Sequence, residues 1–364
     1  MSDERDTTPA LGTPGAPASW RREREGASVA LHVGRWEDGR WSYLYGGQDT
    51  EYRSSPPDPQ AVAAAARRAR NGPLGDVVQG PVMQAPVWTW EVPLYFWFGG
   101  VAAGASFAAL ACDLAGDRRS AVIARRVALG AALPAPPLLI ADLGRPARFL
   151  NMLRVFKPRS PMSMGAWCLS AFSLVGAGAV ALDLLGRRRA AALAGAGNAA
   201  IGVYLGSYAG ALLSATAVPV WAGSRVLLAP LFVASATGTG AAATRLALAA
   251  GGQGDRHPTQ RALARVQTGA MVTELALSAL NARRLGPLGD ALHRGRPGRL
   301  LRAAAWSARA GLALGLARPP AAQHASSALF LAGGLALRYG WVAAGTASAG
   351  DDRAVAAHAR GSCA

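Results

Sequence analysis

Charge is scarce in this chain. Only 16% of its 364 residues are Asp, Glu, Lys or Arg, whereas soluble domains run near a quarter. That shortage excludes an ordinary water-soluble fold and points to a membrane protein. Lysine is almost missing: Lys157 is the one example. The other cations are all Arg in an Ala- and Gly-rich background, mostly between apolar runs. The net charge of +17 therefore reads as compositional bias meeting headgroups or a partner, and excludes a nucleic-acid surface.

Cysteine and histidine are also thin. Cys112, Cys168 and Cys363 form no CxxC, so no iron–sulfur cluster and no zinc or other metal site is expected in this chain. None of His32, His257, His293, His324 and His358 sits in the middle of an apolar run. A membrane cytochrome b needs axial histidines inside its helices, so no haem is expected. The chain opens with Asp3, Glu4, Arg5 and Asp6 and then a Pro-rich stretch without an apolar core. Insertion through the first spanning helix is the expectation.

Long apolar runs are abundant. Residues 1–86 form a polar extension rich in Pro, Ala and Gly. Residues 1–19 have the composition of a disordered tail. Asp38-Gly39 between aromatic flanks suggests a hairpin over 28–46, and 60–70 suggests a short helix. From residue 87 there are eight segments, near 92–114, 121–141, 162–186, 190–217, 226–250, 264–282, 299–317 and 325–348. Each approaches the length that spans a hydrocarbon core. The second contains PAPP at 134–137 and should be broken. Ser160-Pro161 supplies an N-cap and first-turn proline for the third. The expected fold is all-α: a polytopic membrane protein with about eight transmembrane helices over 87–348 and a tail at 349–364. Arg and Lys divide evenly between the two sets of loops, so the positive-inside rule leaves orientation open.

The stretch ADLGRPARFLNMLRVFKPRSPMSMGAW, residues 141–167, interrupts this pattern. At helical spacing Phe149, Met152, Leu153 and Phe156 share one arc, while Arg148, Asn151, Arg154 and Lys157 oppose them. That is an amphipathic helix suited to the membrane plane. Arg145, Arg148, Arg154, Lys157 and Arg159 would face headgroups or a partner; anchoring alone is the alternative. Ionisable residues inside the runs are costly and usually paired. Glu274 with Arg309 or Arg338 reads either as a buried ion pair or as part of a proton relay. Asp142 closes the second run, where it either caps a helix or reaches a ligand pocket.

That stretch resembles the signature loop of the polysulfide reductase membrane-subunit family, the NrfD/PsrC type. TWEVPLYFWFGGVAAGASF at 89–107, SYAGALLSATAVPVWAG at 207–223 and LRYGWVAAG at 337–345 resemble its first, fourth and last helices, in order. The resemblance implies a haem-free membrane anchor that passes electrons between the quinone pool (menaquinone or ubiquinone) and a ferredoxin-like iron–sulfur subunit. A molybdopterin subunit would hold the main catalytic site, as in complexes of anaerobic respiration. It also implies a quinone pocket where the first helix enters the membrane, near a tyrosine of the fourth. The matching residues are Trp90, Glu91, Tyr95 and Tyr208, with Tyr204 one turn away as lining or packing. Trp-Glu-Val-Pro departs from the polar residues often found at that helix start. Quinone chemistry needs a flat apolar slot, donors for the carbonyl oxygens and a proton relay. Glu91 and Tyr95, four apart, share a helix face. Ser214 and Thr216 are expected to satisfy backbone carbonyls. The alternatives are a structural anchor without quinone chemistry, a proton-translocating subunit, and a transporter built around the broken second helix, although no internal repeat supports the last.

Overall fold

The computed structural model describes residues 60, 83–142, 153–154, 156–255, 257–317 and 319–359. The hairpin over 28–46, nearly all of the helix over 60–70, and residues 143–152 and 155 of the interfacial helix, with Arg145 and Arg148, lie outside the described residues. Contacts divide the chain into two units, Met1–Val77 and Val78–Ala364.

The second unit holds twelve α-helices among its described residues, and no strand. They are α1 Glu91–Leu114, α2 Arg118–Ala132, α3 Ala135–Asp142, α4 Pro161–Leu184, α5 Arg188–Ser214 and α6 Pro219–Gly223. Then come α7 Leu228–Ala250, α8 Pro258–Leu285, α9 Asp290–His293, α10 Gly295–Gly315, α11 Pro320–Ala349 and α12 Asp352–Ala359. With α2 and α3 taken as one broken segment, every apolar run has its long helix. Five segments are long and apolar enough to cross a membrane: α1, α2–α3, α4, α5 and α11. The short α6, α9 and α12 have no counterpart in the hydropathy pattern.

Local chemistry sets the boundaries. The second run breaks at Leu133-Pro134, as its prolines predict. Ser160 accepts from the Ser163 N–H at 3.4 Å ahead of Pro161, and Asp117 caps α2 through Ser120. The C-termini of α1, α4 and α7 close with glycines at positive φ, Gly116, Gly186 and Gly252. In each, the next N–H reaches back five residues: Asp117 to Cys112, Arg187 to Leu182 and Gln253 to Leu248, all at 2.9 Å. These Schellman turns fall on one side of the bundle, here called the far side; α1 begins on the near side.

Helices α1 and α7 pack at the centre, with α2, α5, α8 and α11 around them. They cross at Gly104 and Gly240. A Cβ on Gly104 would meet the Ala236 carbonyl, and one on Gly240 would meet the Gly104 backbone. Such close approach is how helices pack in lipid, where hydrophobic expulsion from water adds nothing.

Helix α8 is inside out. Gln260, Gln267, Glu274 and Asn281, seven residues apart, are between 1% and 3% exposed, while Val266, Val272 and Leu280 are 44%, 52% and 47% exposed. Leu263 and Met271 share the inward face with these polar residues, and Arg261 and Arg265 share the outward face near the far end. The helix starts six residues before the expected segment because Gln260 and Arg261 lower the hydropathy of its first turns.

Candidate functional site

The near ends of α1, α3, α4 and α5 converge on one cavity. Val92, Tyr95 and Phe96 line it from α1, Leu138, Leu139 and Asp142 from α3, Met162 and Ala166 from α4, and Tyr208 and Leu212 from α5, with Trp88 ahead of α1. The spacing of Val92, Tyr95 and Phe96 places them on one helix face. Gly165 makes room for the Tyr208 ring: a Cβ there would overlap the phenol. Trp88 stacks on Trp221 with centroids 5.0 Å apart and meets Phe96 edge-on at 6.3 Å. Trp221 is fixed in turn by its indole N–H, which donates to the Trp341 carbonyl at 2.8 Å. The enclosed space is about 30 Å3, room for about one water.

Tyr95 and Tyr208 are each 5% exposed. Among the described residues neither hydroxyl has a hydrogen-bond partner, which is unusual for a buried phenol. Asp142 is half-buried and within Coulombic reach of Glu91. Glu91 accepts from the Thr89 hydroxyl and does not line the cavity. Trp90 points outward at 59% exposure, and its carbonyl accepts from the Tyr339 hydroxyl at 2.9 Å. Tyr204 lies 6.2 Å from Tyr208, ring to ring, on the outer side of α5, 36% exposed. The structure therefore brings Tyr95, Tyr208 and Asp142 together, sets Glu91 beside them, and leaves Trp90 and Tyr204 outside the lining. Trp88 was missed, although it stands seven residues before Tyr95. Ser214 and Thr216 donate to the Gly210 and Leu213 carbonyls at 2.6 and 2.7 Å, as expected.

The intramembrane charges divide. Glu274 and Arg338 are buried and act on each other through space, but no ion pair joins them within 4 Å among the described residues. The Arg338 guanidinium lies 3.8 Å over the Phe232 ring and donates to the Phe232 carbonyl at 3.3 Å. Arg309 is not brought to Glu274: it is exposed on α10, over Trp306 at 5.3 Å. Arg154, Lys157 and Arg159 are exposed at the near side, and Phe156 packs edge-on against Trp167 at 5.9 Å.

A second polar cluster, not foreseen, ties the far side. Arg125 grips Asp183 with two bonds, at 2.7 and 2.9 Å, and also Asp113. Asp117 loses solvation but accepts from Ser120 and Thr259, and these bonds hold its carboxyl below the usual carboxylate range.

A family profile described as Polysulphide reductase, NrfD, matches residues 79–282. The chain belongs to that family. The match takes in α1 to α8 almost entirely, and so both the cavity and the inside-out helix. No curated protein matches the chain. As an NrfD-family protein it is a multi-pass membrane subunit of an oxidoreductase complex, working beside other oxidoreductase subunits.

Proposed function

We propose that this NrfD-family subunit is haem-free, exchanges electrons with menaquinone or ubiquinone at the near-side cavity, and passes them to or from a ferredoxin-like iron–sulfur subunit. A molybdopterin subunit beyond it would hold the catalytic site. The supporting observation is the pair of buried phenols, Tyr95 and Tyr208, with no hydrogen bond among the described residues, in one apolar slot beside a carboxylate. When bound, a quinone carries two electrons and two protons. The Tyr95 and Tyr208 hydroxyls would donate to its carbonyl oxygens. Leu138, Met162 and Leu212 would flank the ring and exclude water. Asp142, with Glu91 beside it, would move protons between the slot and the near-side surface. The slot must widen for a ring, and Met162, 46% exposed, is the lining residue freest to move. Helices α7, α8 and α10 complete eight spans in this reading.

In the assembled complex, Tyr208→Phe should raise the quinone KM about five- to tenfold, the worth of one hydrogen bond. Asp142→Asn should lower kcat about 100-fold, as expected for a proton-transfer group. Unchanged quinone-linked turnover in both variants, with the partner still bound, would exclude this site. The small enclosed volume favours one other reading, a structural anchor with no quinone chemistry, and a purified complex with no semiquinone signal and no quinol-dependent turnover would establish it.

A further inference from the structure

We propose that an outward-facing groove between α5, α7 and α8 holds one anionic phospholipid. Its acyl chain would lie along the groove, and its phosphate among Arg225, Arg283 and Arg284 at the near-side end.

Helices α5 and α8 each pack on α7 far more closely than on one another. The seam left between them is the groove. Ala229, Val233 and Thr237 of α7 form its floor, Ala270 and Thr273 of α8 one wall and Ser207 of α5 the other. Steps of four residues along the floor and three along the wall keep each set on one helix face. The groove holds about 580 Å3. It opens outward, since Thr273 at its rim is exposed.

The chemistry of the walls selects an apolar occupant. All three hydroxyls in the lining bond to their own helices. Ser207 donates to the Tyr204 carbonyl, Thr237 to the Val233 carbonyl and Thr273 to the Gly269 carbonyl, each at 2.9 Å. None is left as a donor to a ligand. A polar molecule would give up its hydrogen bonds to water there and regain few. A helix of another chain would be held in lipid by hydrogen bonds across the seam, which these hydroxyls do not offer. A methylene fills nearly the volume of a water, about 30 Å3, so the groove has the capacity of one long acyl chain.

The near-side end supplies the charge. Arg225 stands four residues ahead of Ala229, and Arg284 seven beyond Leu277, another lining residue, on the same face of α8. Two contacts bring these segments together. The Asn281 amide donates to the Ser224 hydroxyl at 2.9 Å, and a Cβ on Gly223 would stand 2.8 Å from the Leu285 side chain. Arg225, Arg283 and Arg284 are all exposed, and no carboxylate pairs with them among the described residues. Asp290, the acidic residue next along the chain, is held by Arg294 at 2.9 Å. Guanidinium groups match phosphate oxygens with paired donors, and cations at the bilayer surface draw anionic headgroups.

The site rests on α7 and α8 crossing the bilayer, as in the eight-span reading above. It shares no residue with the quinone slot: Ser207 faces the groove, while its neighbour Tyr208 lines the slot. The lipid would therefore back α5 on the side opposite the phenol.

The test uses the full purified chain. Given an equal mixture of phosphatidylglycerol and phosphatidylcholine with the same acyl chains, native mass spectrometry should show one phosphatidylglycerol retained. Arg225→Gln and Arg284→Gln, at exposed positions, should each lower that retention about fivefold, and the two together should abolish the preference. Equal retention of both lipids by the wild-type chain, or an unchanged preference in the double variant, overturns the proposal. A second measurement locates the acyl chain. Phosphatidylglycerol with a photoreactive diazirine in its acyl chain should mark the peptides that contain Thr237 and Ala270. Marks spread evenly over α4 and α10 as well would mean general lipid contact, which overturns it. So would a cross-link from Thr237→Cys to another protein chain in the assembled complex, since a helix would then fill the groove. No mark on either α7 or α8 would overturn it together with the eight-span reading. Quinone turnover in the Tyr208 variant bears on none of these outcomes.

Discussion

Asp117 shows how one side chain joins two helices. It caps α2, accepts from Ser120, and reaches Thr259 at the start of α8. Its pKa is lower folded than unfolded, so the stability it contributes is complete above the unfolded value, near 4. That contribution is lost as pH falls through the folded value. Melting temperature in detergent should therefore decline below about pH 4, and Asp117→Asn should flatten the decline while lowering the plateau at neutral pH. A wild-type curve no steeper than the variant's would mean that Asp117 contributes none of it. What was readable at this scale depended on residue type. Glu274 and Arg338 announce themselves because a charge inside an apolar run needs an explanation. Gln260, Gln267 and Ser327 do not, since neutral amides and hydroxyls carry no charge to demand a partner. Tyr95 and Tyr208 emerge from motif resemblance, but Trp88 was hidden by Trp90, and only the turn of the chain ahead of Glu91 decides which indole faces inward.

At the scale of the element, the central α1–α7 crossing depends on the absence of two side chains. Gly104→Ala would push its methyl into the Ala236 carbonyl and should cost about 1–3 kcal/mol by overpacking. Gly178→Ala, on α4 where a Cβ meets nothing within 4 Å, should instead stabilise by about 1 kcal/mol through helix propensity. Thermal unfolding of the two variants should move in opposite directions; a shared direction would mean that propensity, not contact, governs both. Helix ends with explicit chemistry, such as Ser160-Pro161 and Leu133-Pro134, were legible from sequence. The start of α8 was not, because its inward face is polar and a hydropathy window averages over both faces. The same averaging made Arg309 look buried: α10 presents Arg309 and Trp306 outward, and only packing tells the faces apart.

Across the whole molecule the two sides differ in character. The near side carries the phenol cavity and the exposed Arg154, Lys157 and Arg159; the far side carries the Arg125 cluster and the pair Asp255 and His324. On the proposed function, the oxidoreductase partner docks on the side of the cavity. Arg154→Glu combined with Lys157→Glu should release the oxidoreductase partner from washed membranes, and moderate salt should mimic the effect, since exposed charges are screened. Retention of the partner at the wild-type level would place docking elsewhere. Membrane class and the place of the near-side tyrosines followed from apolar run length and motif order. The bonds by which Arg245 ties α7 to α8 and α11 did not, because they exist only where the helices meet.

The inside-out character of α8 bears on how the protein is made. A helix with Gln260, Gln267, Glu274 and Asn281 along one face gains little by entering lipid alone. Its companions on α7 are synthesised before it, but Gln323, Ser326 and Ser327 on α11 leave the ribosome some tens of residues after it. Until then the polar face of α8 leans on Arg245 of α7 and, through Asn281, on Ser224. The polar face of α8 is therefore completed only by the last long helix, α11.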